Sequence, residues 1–118
     1  MLMAMALAAC SGQSVRPIPP AYAEHVEGAR HSLEENWDGL PKPRFEFVGM
    51  RCRADGGLVV IFAQLGSRDD GSFASAHRGT DGYGWAGGFG LATPTDNPEL
   101  DFFFQVAPEV PCPADPTA

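Results

Sequence analysis

The acidic and basic side chains between residues 69 and 81 are the part of the sequence best suited to acid–base chemistry. They are Asp69, Asp70, His77, Arg78 and Asp81. A histidine titrates near neutral pH and a nearby carboxylate can orient it, so a small hydrolase that uses His77 and Asp81 is one interpretation. The sequence contains no serine-elbow, zinc-protease or phosphate-loop motif that would fix such a geometry. We therefore interpret this run as a surface loop and expect a protein without catalytic residues.

A second cluster of chemically capable residues lies in the segment 24–35. Glu27 and His31 are one helical turn apart, with Glu34 and Glu35 beyond them, so a metal site is conceivable. A solvated helix face normally carries such residues, and no partner that would orient the ligands is evident. We expect neither a metal nor a cofactor here.

The remaining reactive residues are three cysteines, and the first of them follows a recognisable pattern. Leu7, Ala8 and Ala9 precede Cys10, an aliphatic residue and two small residues before a cysteine. The pattern resembles the lipobox of bacterial lipoproteins, in which the cysteine receives a thioether-linked diacylglycerol and becomes the mature N-terminus. The resemblance implies that residues 1–9 are a signal peptide. Because no Lys or Arg precedes the apolar residues, we expect this signal peptide to be truncated.

The same resemblance gives a location. A lipidated Cys10 would hold the protein on a membrane in the bacterial cell envelope. Ser11 after the cysteine resembles the lipoproteins that Gram-negative bacteria sort to the outer membrane, which would place the domain at a periplasmic face. Residues 10–20 are polar and then proline-rich, so we expect them to form a flexible tether between lipid and domain.

The other two cysteines form an even pair once Cys10 is set aside. An oxidising envelope compartment favours a disulfide between Cys52 and Cys112. The alternative is two unpaired thiols, one on a strand and one in the proline-rich tail at residues 109–118.

The net charge of −7 limits the partners that this chain can bind. Fifteen acidic residues against eight basic ones oppose binding to nucleic acid, whose phosphates must be neutralised by cations. The same excess opposes docking on anionic lipid through basic side chains, so membrane affinity would have to come from the lipid anchor.

Hydrophobic periodicity predicts one domain, residues 21–108, of the α+β class. Apolar residues spaced by three and four predict an N-terminal amphipathic helix over 20–37. Alternating or continuous apolar runs predict strands at 44–54, 58–65, 72–78, 83–92 and 100–107. The segment 83–92 is glycine-rich, and a mobile loop is its alternative. We expect one helix packed on an antiparallel sheet of four to five strands, in two layers.

The turn between the first two strands predicts their register. If Asp55 and Gly56 form a two-residue loop, the opposing pairs are Cys52 with Val59, Met50 with Ile61, and Val48 with Ala63. The helix would then cover the face formed by Val48, Met50, Val59, Ile61, Phe102 and Phe104.

The opposite face of the sheet would also be apolar, which predicts an interface. Its expected members are Phe45, Phe47, Leu58, Val60, Phe62 and Phe103, with Arg51 and Arg53 nearby. A small monomer rarely leaves so large an apolar patch in water. Either the glycine-rich segment and the tail cover it, or a protein partner or a second copy of the chain does. The candidate interface residues are Phe45, Phe47, Arg51, Arg53, Val60 and Phe62.

The function that these observations favour is a non-enzymatic envelope lipoprotein that binds another protein, as an accessory or assembly module. The alternative is a ligand-binding or enzyme-inhibitor module, because a helix on an antiparallel sheet is similar to the cystatin layout. The glutamine–valine–glycine loop of that family has only a partial counterpart in Gln64, Leu65 and Gly66.

Overall fold

A computed structural model of the protein describes residues 15–38, 41–66, 72–80, 84–91 and 98–112. A short 3-10 turn, Pro20–Tyr22, leads into helix α1, Ala23–Glu35. Five strands and a second helix follow: β1 (Arg44–Arg53), β2 (Leu58–Leu65), β3 (Phe73–Arg78), β4 (Trp85–Leu91), α2 (Pro98–Val106) and β5 (Glu109–Val110). The strands form one antiparallel sheet in the order β4-β3-β2-β1-β5. The predicted α+β class, with an N-terminal helix packed on an antiparallel sheet, is confirmed.

The register between β1 and β2 differs from the predicted one. Cys52 lies opposite Leu58 and Met50 opposite Val60, because the hairpin closes between Arg53 and Gly57 and leaves a three-residue loop. Gly56 takes a positive φ of 98° in this loop, which is typical of the last residue of such a turn. A bulge between Phe47 and Gly49 then shifts the pairing by one further residue.

Helix α1 covers the sheet face opposite the one predicted for it. Val26, Ala29 and Leu33 of α1 are fully buried and belong to one core with the following sheet residues. They are Phe45, Phe47, Met50, Cys52, Leu58, Val60, Phe62, Ala74 and Ala76. Val48, Val59 and Ile61, expected under the helix, lie on the other face. Met50 lies under the helix because the one-residue change of register puts it opposite Val60.

The strand predicted over residues 100–107 is wrong, because the chain forms α2 there. Pro98 occupies the first helical position, where a missing N–H costs nothing. Leu100 and Phe103, three residues apart, are buried against Val59, Ile61 and Phe73. Helix α2 therefore covers the sheet face opposite α1. Seven of the eight residues of β2 are buried as a result, as predicted for a strand covered on both sides.

The glycine-rich segment forms a strand, as predicted, and α1 crosses it closely. A Cβ added at Gly28 of α1 would lie 2.7 Å from Nε1 of Trp85, the first residue of β4. The Ser32 hydroxyl donates a hydrogen bond of 3.4 Å to the Trp85 carbonyl. Glycine at position 28 thus permits a close contact between α1 and Trp85 of β4, and a larger residue there would force the two apart.

The part of the expected tether that the structure describes is packed rather than flexible. We call residues 15–19 the strap. The Arg16 N–H donates to the carbonyl of Phe47 at 3.1 Å, and the Arg16 Nε donates to the carbonyl of Val48 at 3.1 Å. Ile18 packs against the α1 core and Pro19 is buried. The strap therefore holds the N-terminal part of the chain at the outer edge of β1.

The C-terminal segment is held at the same edge. The predicted disulfide is confirmed: Cys52 of β1 and Cys112 are bonded, with 5.1 Å between their Cα atoms. The first residues of the expected tail form β5, which pairs with Cys52 and Arg53. Residues 113–118 lie outside the described part of the chain.

Candidate functional site

The apolar members of the predicted interface are buried inside the molecule. Phe45, Phe47, Val60 and Phe62 lie beneath α1, each with no more than 2% of its surface exposed. These residues form the protein's own core, so they offer no surface to a partner. Of the two alternatives, the structure shows cover within the chain, which comes from α1 with Trp85 of the glycine-rich segment and Val110 and Cys112 of the tail packed against the same core.

Arg53 is buried and links the β1–β2 turn to α2. Its Nε donates to the Asp55 carboxylate at 2.6 Å, and its Nη1 donates to the carbonyl of Phe103 at 2.8 Å. The guanidinium also lies 3.9 Å from the centre of the Phe103 ring. The hydrogen bond from Arg53, aided by the Gly57 N–H, lowers the pKa of the Asp55 carboxyl. Arg53 therefore positions α2 and is not part of an exposed interface.

Arg51 of β1 links the sheet to both β5 and α2. It donates to both carboxylate oxygens of Glu109 in β5, with 2.8 Å from its Nε to Oε2. Its guanidinium lies 4.6 Å from the centre of the Phe104 ring. The hydrogen bond from Arg51 lowers the pKa of Glu109 despite partial burial. Arg51 and Arg53 together hold β5 and α2 against the sheet.

The helix that they hold presents an apolar surface to solvent. Phe102 is 69% exposed and Val106 is 62% exposed, and they lie one turn apart on α2. We call these two residues the α2 apolar surface. Val15, the first residue of the strap, is the other large apolar side chain that is exposed among the described residues. The sequence prediction missed this surface because it placed these residues on a strand.

The candidate acid–base residues do not come together where the structure describes them. The His77 ring lies 5.3 Å from the Phe103 ring, on the α2 side of the sheet. Arg78 points to the other side, where its guanidinium lies 5.1 Å from the centre of the Trp85 ring. Asp69, Asp70 and Asp81 lie outside the described residues.

The two histidines of α1, His25 and His31, each lie beside a charged side chain. Nδ1 of His25 lies 3.3 Å from Nη2 of Arg78, and burial together with the Arg78 charge lowers the His25 pKa. His31 lies 3.3 Å from the Glu35 carboxylate, whereas Glu27 pairs with Arg30. Glu27 and His31, the residues considered as a conceivable metal site, therefore each pair with a different residue. Within the described ranges, no three His, Cys, Asp or Glu side chains are grouped so that they could hold a metal ion.

The lipidation candidate Cys10 and residues 1–9, for which a signal peptide is expected, lie outside the described part of the chain. No helix in the described ranges is both long enough and apolar enough to cross a bilayer. Comparison with known proteins adds no relative: no family model, no curated protein and no solved structure matches this chain.

Proposed function

We propose that this chain is a lipid-anchored, non-enzymatic accessory domain of the bacterial envelope that binds another protein at the membrane. The anchor is the acylated Cys10, and residues 1–9 are removed when it forms. The folded domain provides a binding surface for that protein and catalyses no reaction.

The cysteine inventory is the observation that carries this proposal. The chain has three cysteines, and the disulfide uses Cys52 and Cys112. A disulfide of this kind is typical of an oxidising compartment such as the periplasm. Cys10 is then the cysteine left over, and it stands directly after Leu7, Ala8 and Ala9 in the pattern that resembles a lipobox.

Replacement of Cys10 tests the anchor. We expect the native protein to enter the detergent phase of Triton X-114 and Cys10→Ser to remain in the aqueous phase, because the acyl chains supply the membrane affinity. Mass spectrometry of the N-terminal peptide should show a diacylglyceryl group on Cys10 and no residues 1–9. Ser11→Ala is the matched control and should partition like the native protein. An unmodified Cys10 thiol in native membranes would contradict the proposal.

Binding of a protein partner is tested with the native protein and the Cys10→Ser variant. We expect the lipidated protein, extracted from membranes in mild detergent, to retain a specific protein that the Cys10→Ser form does not enrich. The comparison isolates the effect of the anchor, because both chains carry the same folded domain. If neither chain enriches any protein over bare resin, the accessory role is wrong. The alternative, a ligand-binding or enzyme-inhibitor module whose binding does not depend on the anchor, predicts equal enrichment by both chains.

A further inference from the structure

Helix α1 meets β4 at a place where one charged side chain contacts both. We call His25 of α1, Arg78 of β3 and Trp85 of β4 the α1–β4 junction, and all three are partly buried. Nη2 of Arg78 lies 3.3 Å from Nδ1 of His25, and the guanidinium lies 5.1 Å from the centre of the Trp85 ring. Gly28 and Ser32 of α1 lie against Trp85 as well. Arg78 therefore connects α1 to the indole against which α1 packs.

The contact between Arg78 and His25 requires a neutral imidazole. A guanidinium has N–H donors and no acceptor, so Nδ1 of His25 must accept the hydrogen bond with its lone pair. Both ring nitrogens of an imidazolium carry hydrogens, so protonation would leave two donors facing each other. It would also bring two positively charged groups together, with 3.3 Å between their nearest nitrogens. The junction is thus compatible with neutral His25 and is opposed by the protonated form.

The groups around His25 favour the neutral form on balance. Burial and then the Arg78 charge lower the pKa of His25, whereas the charge of Glu24, its neighbour on α1, raises it. Strands β2 and β4 carry no titratable side chain, and His77 of β3 lies on the opposite sheet face. The pKa of His25 is lowered as a result. The stability that neutral His25 contributes is therefore complete above the ordinary histidine pKa of about 6.5, and it is lost as the pH falls through the lowered value.

We propose that the α1–β4 junction is a pH-sensitive contact, in which protonation of His25 moves Arg78 off the Trp85 ring and loosens β4 against α1. Strand β4 stands at the end of the sheet order and pairs with β3, so the pairing of β1, β2 and β3 remains when it loosens. The inference goes beyond the proposed function and does not depend on acylation of Cys10. It is therefore tested on the full chain carrying Cys10→Ser, and its failure would leave the proposed function untouched.

Site-resolved hydrogen exchange in the Cys10→Ser chain tests the junction. Exchange at about pH 7.5 is compared with exchange at about pH 5, on either side of the ordinary histidine pKa, after correction for the intrinsic rate. We expect the protection of the β4 amides to fall several-fold at the lower pH, with no comparable change in β2. His25→Gln keeps a neutral acceptor for Arg78 and should show no such response. His31→Gln, the same substitution at an exposed position of α1, is the matched control and should respond like the parent chain.

An NMR titration gives a second measurement. The indole N–H signal of Trp85, identified by its absence from Trp85→Phe, should shift with the same midpoint as the ring protons of His25. Arg78→Gln keeps an N–H donor but removes the charge, so it should raise this midpoint. A β4 response that persists in His25→Gln, unequal midpoints for Trp85 and His25, or equal β4 protection at both pH values in the parent chain overturns the inference.

Discussion

Removal of the disulfide is expected to cost this protein about 4 kcal/mol of unfolding free energy. The bond joins residues 60 positions apart, and in the chain-entropy model a closed loop of that length restricts the unfolded chain by about this amount. Small domains are stable by only about 5–15 kcal/mol, so the loss is a large share of the total. The measurement is urea denaturation of Cys52→Ala/Cys112→Ala against the unsubstituted pair, both in a Cys10→Ser background.

The native structure gives a reason to expect local effects as well. Cys112 follows β5, and β5 is held by two residue pairs with β1 and by the ion pair between Arg51 and Glu109. Hydrogen exchange at Val110 should therefore rise when the bond is removed. A reducing agent serves as the control, because it should destabilise the disulfide-containing chain and leave the Ala/Ala chain unchanged. Identical urea midpoints for the two chains would show that the bond does not form in solution.

Arg53→Ala is the substitution with the next largest expected effect, a loss of about 3 kcal/mol. The change removes a buried charged hydrogen bond to the Phe103 carbonyl and the guanidinium packed on the Phe103 ring. It also leaves a gap beside Gly57, where the Arg53 side chain and the Phe103 ring meet. Because these contacts hold α2, exchange of its amide hydrogens should increase more than exchange in α1. Urea denaturation and site-resolved hydrogen exchange measure the two effects.

One further variant separates the charge of Arg53 from its bulk, and a second serves as a control. Arg53→Met keeps most of the apolar stem, so a smaller loss than for Arg53→Ala would measure what the stem contributes. Arg51→Ala is the matched control, since Arg51 also pairs with a carboxylate and covers a Phe ring but is partly exposed. Its expected cost is within about 1 kcal/mol, as for other exposed ion pairs. Equal losses for Arg51→Ala and Arg53→Ala would contradict the role that we assign to Arg53.

Local sequence signals were sufficient for most of the secondary structure. The spacing of Val26, Ala29 and Leu33 predicts α1, and the continuous apolar run of β2 predicts a strand buried on both faces. Asp55 and Gly56 mark the turn between β1 and β2. Cysteine parity predicts the disulfide. Each of these signals depends on residues close together in the sequence, or on a simple count, and needs no knowledge of the rest of the fold.

The candidate site, in contrast, depended on features that the sequence leaves open. The three consecutive phenylalanines, residues 102–104, suit both a strand and a helix, because at least one of them faces the core in either case. What selects the helix is the sheet face of Val59, Ile61 and Phe73, against which Leu100 and Phe103 pack. As a strand, this segment would have placed Phe102 and Val106 under α1. As a helix, it exposes both.

The sequence alone determined the chemistry available to this protein: a cysteine in a lipobox-like pattern, a cysteine pair for a disulfide, and an acidic chain without a catalytic motif. Only the tertiary structure decided which apolar residues are core and which are surface. The register of β1 and β2 was set by one extra residue in the hairpin loop and by the bulge at Val48. Because adjacent strand residues point to opposite faces, the hairpin shift places Met50 and Cys52 on the face of Phe45, Phe47 and Phe62, which is the face that α1 covers. Phe102 and Val106, which remain exposed, lie on α2, on the opposite side of the sheet.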